Sequence, residues 1–344
     1  MSPVVVVAPD AFKGTSSAAE ISAGIARGAE RAGWSPDRCP LSDGGEGFMD
    51  VLEVLGGELR TVRVTGPLGD PVDAQWRLAG DVAIIESARA SGLVIAGGRQ
   101  WNDAVAATTR GTGELIVAAI ASGATRVVVG VGGSATTDGG IGALEAIDES
   151  GGIGDAEVLV ACDVTVLFSQ AAVMFGPQKG AGPVEIEILS RRLEDLAARY
   201  RDRGTDVSGV AGAGAAGGLA GGLLVAGAKI VSGIDLVASL VDLDGRMSRA
   251  DLVVTGEGRL DLTSWEGKVV AGVGDRAARA HVGVVAIAGQ VAPEAMTAEH
   301  RPSSLVEVID LSAIFGADTA MRDAAACAEL ASEAVLASRL AGAV

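Results

Sequence analysis

Histidine occurs twice, cysteine three times and tyrosine once in this sequence of 344 residues, and each scarcity removes a class of chemistry. His281 and His300 both fall late in the chain, at positions expected on the surface. Two such residues supply no histidine-rich metal centre and argue against a Ser-His-Asp triad. Cys39, Cys162 and Cys327 are odd in number, widely separated and form no CxxC pair. Reduced, mostly buried thiols are expected from that spacing, not a disulfide framework or a zinc site. Apolar runs are short and Gly-laden, as in Gly217–Ala228, and none reaches the ~18 residues of a membrane span. No basic stretch precedes Val4–Ala8 and no small-residue cleavage site follows it. No signal peptide and no membrane partner are therefore expected, and the cytoplasm is the expected location.

Lysine is also scarce. Arg supplies most of the positive charge, and the lysines are Lys13, Lys179, Lys229 and Lys268. Three of them touch a glycine, in Lys13-Gly14, Lys179-Gly180 and Gly267-Lys268. A compact ammonium beside exposed backbone amides suits a phosphate group, although glycine is common enough here for chance pairings. The formal net charge of −17 argues against nucleic acid, whose phosphates require clustered Lys and Arg. An anionic small molecule must then be held by a few local donors against the field of the whole chain.

The length suggests about two domains, at ~150 residues each. Apolar, β-branched runs at Val4–Ala8, Val62–Val64, Val82–Glu86, Arg126–Val131, Val158–Cys162, Leu252–Thr255 and Val282–Ile287 alternate with helical patterns. The helical stretches are Ser17–Ala32, Gly47–Leu55, Gly113–Ser122, Ile141–Ile147, Val184–Tyr200 and Asp318–Leu340. That alternation predicts an α/β fold with mainly parallel sheet. Ser16 and Ser17 are caps for the first long helix, with Glu20 placed to complete a capping box. Gly66–Gly69 reads as a crossover between domains and Val241–Asp251 as the return. The expected division is a discontinuous domain over 1–62 and 246–344, with an α/β domain over 63–245 inserted.

Two segments match the GxGxxG/A pattern. Gly130–Ala135 follows a strand and precedes a helix, but the region ~20 residues on is a loop, not the strand ending in an acid that a dinucleotide site requires. Gly212–Gly217 has no convincing strand before it, and close packing explains it equally well. No GxxxxGK[ST] run occurs, so a P-loop is excluded. What remains is the physics of a glycine loop leading into a helix: converging N–H groups and a partial positive charge that attract an anion. Gly132, Gly133, Ser134, Thr136, Thr137 and Asp138 are therefore expected to bind a phosphate group, with the hydroxyls as donors and Asp138 orienting a donor or a metal.

Taken in order, Ala8–Gly14 (APDAFKG), Ser42–Gly47 (SDGGEG), Gly66–Gly69, Gly111–Leu115, Gly130–Gly140, Ala161–Val164, Phe175–Gly180, Gly212–Leu219, Thr255–Asp261 (TGEGRLD) and Gly267-Lys268 resemble the bacterial glycerate kinase family. This is the group distinct from P-loop and ribokinase-type kinases. The resemblance implies a Rossmann- or flavodoxin-like domain built from both chain ends and an inserted α/β domain. It also implies transfer of a phosphoryl group from ATP, with Mg²⁺, to D-glycerate in a cleft between them, with 2-phosphoglycerate as the favoured product. Two departures stand out: the link Ile147–Val158 is shorter than in relatives, and Val166–Ser169 replaces the family's Asn-Pro-Leu turn.

Phosphoryl transfer requires in-line positioning, charge neutralisation and a carboxylate to accept the hydroxyl proton. Asp163, past the end of the strand Val158–Cys162, is the expected base, with capping of the next turn as its alternative role. Lys13 and Lys179 are expected to meet phosphate oxygens, and Arg259 to clamp the glycerate carboxylate, unless Glu257 or Asp261 pairs with it. Asp10, Asp43 and Glu46 are expected to bind substrate phosphate or hold Mg²⁺ through water, or, for the last two, to cap the helix near Gly47. Two other readings stay open: a non-catalytic regulatory relative, and a kinase for another small hydroxy acid.

Overall fold

A computed structural model describes residues 2–265, 267–297 and 301–342, so His300 lies outside the described residues. Its strands are β1 (Val4–Pro9), β2 (Ser35–Arg38), β3 (Glu58–Thr65), β4 (Pro71–Ala79), β5 (Val82–Glu86), β6 (Arg126–Gly130), β7 (Glu157–Ala161), β8 (Lys229–Val231), β9 (Leu252–Leu260), β10 (Gly283–Val291) and β11 (Leu305–Asp310). The chain divides into two compact units, one of residues 1–43, 50–54 and 234–344, the other of residues 44–49 and 55–233. Among the described residues, no helix is long and apolar enough to cross a membrane.

The first unit is a five-stranded parallel sheet in the order β11-β10-β9-β1-β2. Numbered within the unit, that is the doubly wound 2-1-3-4-5 arrangement, whose strand order reverses between β1 and β9. Val5 and Val7 of β1 and Val254 of β9 are fully buried and join Ile21, Ile25 and Ala29 in one core. Those last three lie on one face of the helix Ala18–Arg31, which begins at the expected capping box: Glu20 N–H donates to Ser17, and Ser17 N–H to Glu20. Gly24 and Gly28 let this helix approach the helix Ala324–Gly342, since a Cβ at either would stand 2.3 or 2.2 Å from a backbone oxygen.

The second unit is a six-stranded sheet, β3-β4-β5-β6-β7-β8, antiparallel from β3 to β5 and parallel from β5 to β8. Here Gly66–Gly69 corrects an expectation. Thr65 pairs with Pro71, Gly66 N–H donates to Asp70 O, and Gly69 takes φ +95°, so the segment is a hairpin turn and not a crossover. Residue 62 lies inside β3, and the chain passes back between the units at 233–234. Val241–Asp251 is likewise no crossover. It contains the helix Leu243–Met247, part of the first unit, where Arg276 bridges Asp244 and Asp235.

The seven expected strands are present. β2 escaped notice because SPDR is a polar edge strand with no alternation, held by register with β1. β8 is only three residues long, β4 opens on Pro71 and carries Asp73 and Arg77, and β11 is interrupted by Glu307 and ends on Asp310. The stretch Asp318–Leu340 forms two helices, Ala317–Arg322 and Ala324–Gly342, broken at Asp323. Cys39, Cys162 and Cys327 are buried free thiols.

Candidate active site

In the second unit the expected residues gather at the carboxyl ends of the parallel strands. Gly130 closes β6 between Glu86 of β5 and Ala161 of β7 in register. The loops that follow these strands therefore emerge side by side, the placement expected for a ligand site in an open α/β sheet. Gly44–Gly47 lies across those ends with backbone against backbone. A Cβ on Gly44 would stand 2.5 Å from Ala161 O, and one on Gly132 would stand 2.5 Å from Gly45 Cα. Gly132 N–H donates to Gly44 O, and Gly47 N–H to Glu86 Oε1 at 3.1 Å. Glycine is required here by contact, whatever a ligand adds.

Within the loop, Gly133 is exposed at φ +68° and Gly132 is partly exposed. Thr136 and Thr137 are fully buried, so their side chains belong to the fold's interior. Thr136 Oγ1 donates to Ala216 O, whereas Thr137 Oγ1 is buried without a hydrogen-bond partner. Ser134 is buried and bridges to Gly92. Asp138 accepts from Thr109 N–H and Oγ1, both at 2.8 Å, and from the N–H groups of Gly140 and Gly142. With four donors in place it fastens the loop to the start of the helix Ile141–Glu149. Gly212–Gly222 is the packing partner of this loop: Gly139 N–H donates to Gly217 O, and a Cβ on Gly222 would stand 2.7 Å from Gly140 Cα.

Lys179 is brought to the same loop, but from inside. It is 2% exposed, and its Nζ donates to Thr136 O at 2.5 Å. Burial pushes its pKa down to about 7, with Asp138 opposing part of the shift. Asp163 is half-buried two residues past β7, and its Oδ1 accepts from Gly233 N–H at 2.9 Å. That partner opens the helix Gly233–Leu240, far along the chain, so the bond is not the capping of the next turn given as the alternative role. Glu46 is exposed on the crossing segment.

The first unit holds a second cluster at its own switch point. Asp10 follows β1, and its N–H donates to Gly256 O of β9, one residue before Glu257. Asp10 is 7% exposed; burial and the Asp43 carboxylate raise its pKa to about 7. Burial likewise raises Glu257 to about 7, against a hydrogen bond from Ser264. Lys13 lies 3.7 Å from Asp43. Burial lowers the Lys13 ammonium, but Asp43, Asp10 and Glu257 together more than reverse that effect, so it remains charged above the usual lysine range. Arg259 is largely exposed, with Asp261 at 3.8 Å as its ion-pair partner.

Two acids escaped sequence reasoning as site residues, Glu86 and Glu257. Glu86 ends the apolar run VAIIE at the carboxyl end of β5, and Glu257 follows LVVTG within β9; an acid after an apolar strand run was the available signal. Glu86 is 4% exposed and also meets Arg89 at 3.4 Å. Glu257 Oε1 is buried with no hydrogen-bond partner. That orphaned oxygen, beside Asp10 and Asp43, makes a hard, anionic donor set of the kind Mg²⁺ takes through one or two carboxylates while keeping its waters. Among the described residues, no group of three or more His, Cys, Asp or Glu side chains is gathered closely enough to hold a metal ion, so a magnesium ion here would take one or two of these carboxylates and keep its waters. A cavity of about 570 Å³ elsewhere in the second unit, lined by Arg191, Arg192 and Arg199 among others, contains none of the residues above.

A family model described as the glycerate kinase family matches residues 5–150 and 149–339. The glycerate 2-kinase of Escherichia coli K12 is 36% identical, covering 83% of this chain and 85% of its own length. The glycerate kinase of Bacillus subtilis 168 is 35% identical with the same coverage. A crystal structure of a protein designated a candidate glycerate kinase 2, from Salmonella typhimurium LT2, superposes with a TM-score of 0.81 at 34% identity over 99% of both chains. Matched along nearly its whole length by family model and by solved structure, the chain belongs to the glycerate kinase family.

Proposed function

We propose that the protein phosphorylates D-glycerate with ATP-Mg²⁺, giving 2-phosphoglycerate and ADP in the cytoplasm. The observation that carries the reading is the register of β6 and β7. It sets the glycine loop that begins at Gly130 beside Asp163, each just past one of a pair of aligned residues. A phosphate-sized anion can approach the exposed Gly133 backbone, beside the partly exposed Gly132 whose N–H goes to Gly44 O, while a carboxylate stands just past the neighbouring strand to receive a proton. Asp163 is assigned as that acceptor; its bond from Gly233 N–H fixes the carboxylate's orientation.

Lys179 acts on phosphate through the loop: by holding Thr136 O inward it fixes the Thr136–Thr137 peptide unit. Ser134, Thr136, Thr137 and Asp138 likewise shape the nucleotide loop from within. Lys13 supplies a charge for a transferring phosphoryl oxygen, and Arg259, in spite of Asp261, has the exposed fork that recognises a carboxylate. One or two of Asp10, Asp43 and Glu257 would hold the magnesium ion through its waters, and the ion would neutralise phosphate charge when bound. Glu46, exposed on the glycine crossing, is assigned to substrate binding. The 2-position is favoured by the likeness to a relative named glycerate 2-kinase.

The test is ADP release dependent on both D-glycerate and Mg²⁺, followed by ³¹P NMR of the product. In Asp163→Asn the amide oxygen keeps the Gly233 contact, so the variant should fold normally and lose turnover by about 10²–10⁴-fold. Ligand binding without ADP release in the wild-type protein would instead support a regulatory relative.

A further inference from the structure

The loop after β5 carries apolar side chains that folding leaves uncovered. Val94 is 91% exposed, Trp101 75% and Ile95 39%. An exposed tryptophan forgoes more burial than almost any other side chain could gain. The loop is nonetheless rigidly tied, and to a particular place. Leu93 N–H donates to Gly133 O, Gly92 bridges Ser134, and Asn102 Nδ2 donates to both Ala135 O and Lys179 O. Each exposed side chain therefore lies within two residues of an anchor on the glycine loop or on its buried lysine. The Trp101 backbone is also held in place: its main-chain N–H donates to Gly98 O, and Gly97, at φ +87°, leaves only 3.0 Å between a would-be Cβ and Trp101 Cβ. The other tryptophans, Trp34, Trp76 and Trp265, are buried.

We propose that Trp101, with Val94 and Ile95 on the same loop, is the stacking platform for the purine ring of the nucleotide whose phosphates meet Gly132 and Gly133. The inference rests on the phosphate-loop reading above. A flat apolar face on a backbone anchored to an anion-binding loop matches the two halves of a nucleoside triphosphate. Aromatic stacking accepts any purine, so the platform would not by itself separate ATP from GTP.

Trp101 is the one solvent-exposed tryptophan, so acrylamide quenching of intrinsic fluorescence reports on it selectively. ATP and ADP should protect it from quenching, whereas tripolyphosphate should bind without protecting it. Trp101→Ala should raise KM for ATP by about 5- to 100-fold with kcat little changed, and Trp101→Phe should recover most of the loss. If wild-type protein turns over ATP while quenching stays unchanged and Trp101→Ala keeps its KM, the platform is wrong and the kinase reading survives. Concentration-dependent dimerisation lost in Trp101→Ala with unchanged KM would assign the patch to a second copy and also overturn it. Absence of ATP binding by calorimetry would remove both readings together.

Discussion

Lys179→Met separates what the buried lysine does for stability from what it does for the loop. Met retains the apolar stem and removes the ammonium. In the wild-type fold the ammonium titrates near 7, against 10.5 when exposed. Below about pH 7 both folded and unfolded chains carry the proton; between about 7 and 10.5 only the unfolded chain does. Stability from this group therefore rises with pH above neutrality and is lost as pH falls through 7. From pH 7 to pH 9 the gain is ~2 kcal/mol. At ~2–4 °C per kcal/mol, that is roughly 4–8 °C in Tm. The methionine variant lacks the proton, so its Tm–pH curve should be flatter than the wild type's by that amount over the same interval. At pH 7 it loses the Thr136 O hydrogen bond, ~1–3 kcal/mol, but no longer buries a charge, so it should be at least as stable. Its KM for ATP should rise, because Thr136 is released. Thermal melts of both proteins at pH 7, 8 and 9 decide the matter. Parallel curves would show that the lysine is not neutralised by burial and would undo the reasoning.

Gly132→Ala forces a Cβ to 2.5 Å from Gly45 Cα. It should cost about 1–3 kcal/mol in urea unfolding and raise KM for ATP more than KM for glycerate. His281 sits at φ +58° as the residue ending the helix Val269–Ala280; His281→Gly should add about 1 kcal/mol of stability with kinetics unchanged, and a loss of stability there would contradict the left-handed cap. Glu257→Gln should weaken activation by Mg²⁺, seen as a raised Mg²⁺ requirement at saturating ATP, if its buried oxygen faces the ion.

Periodicity and glycine punctuation were enough to announce α/β layering, most strands, the first helix's capping box and the glycine motifs that carry the family resemblance. These are local properties: side-chain alternation, caps and turn residues act over a few positions, so a sequence displays them directly. What only the tertiary structure decided was which groups face a ligand and which face the interior. Lys179 and Arg259 look alike as cations beside or near glycine, yet one is sealed under Thr136 and the other stands in solvent. Asp138 resembles a metal or donor ligand on paper, but four backbone and hydroxyl donors from two segments occupy it. Gly66–Gly69 reads as a crossover between domains until the pairing of Thr65 with Pro71 shows a hairpin. Burial and hydrogen-bond partnership come from residues tens of positions away, brought together by strand order. The sequence therefore names the groups available for chemistry, while packing determines which of them remain accessible.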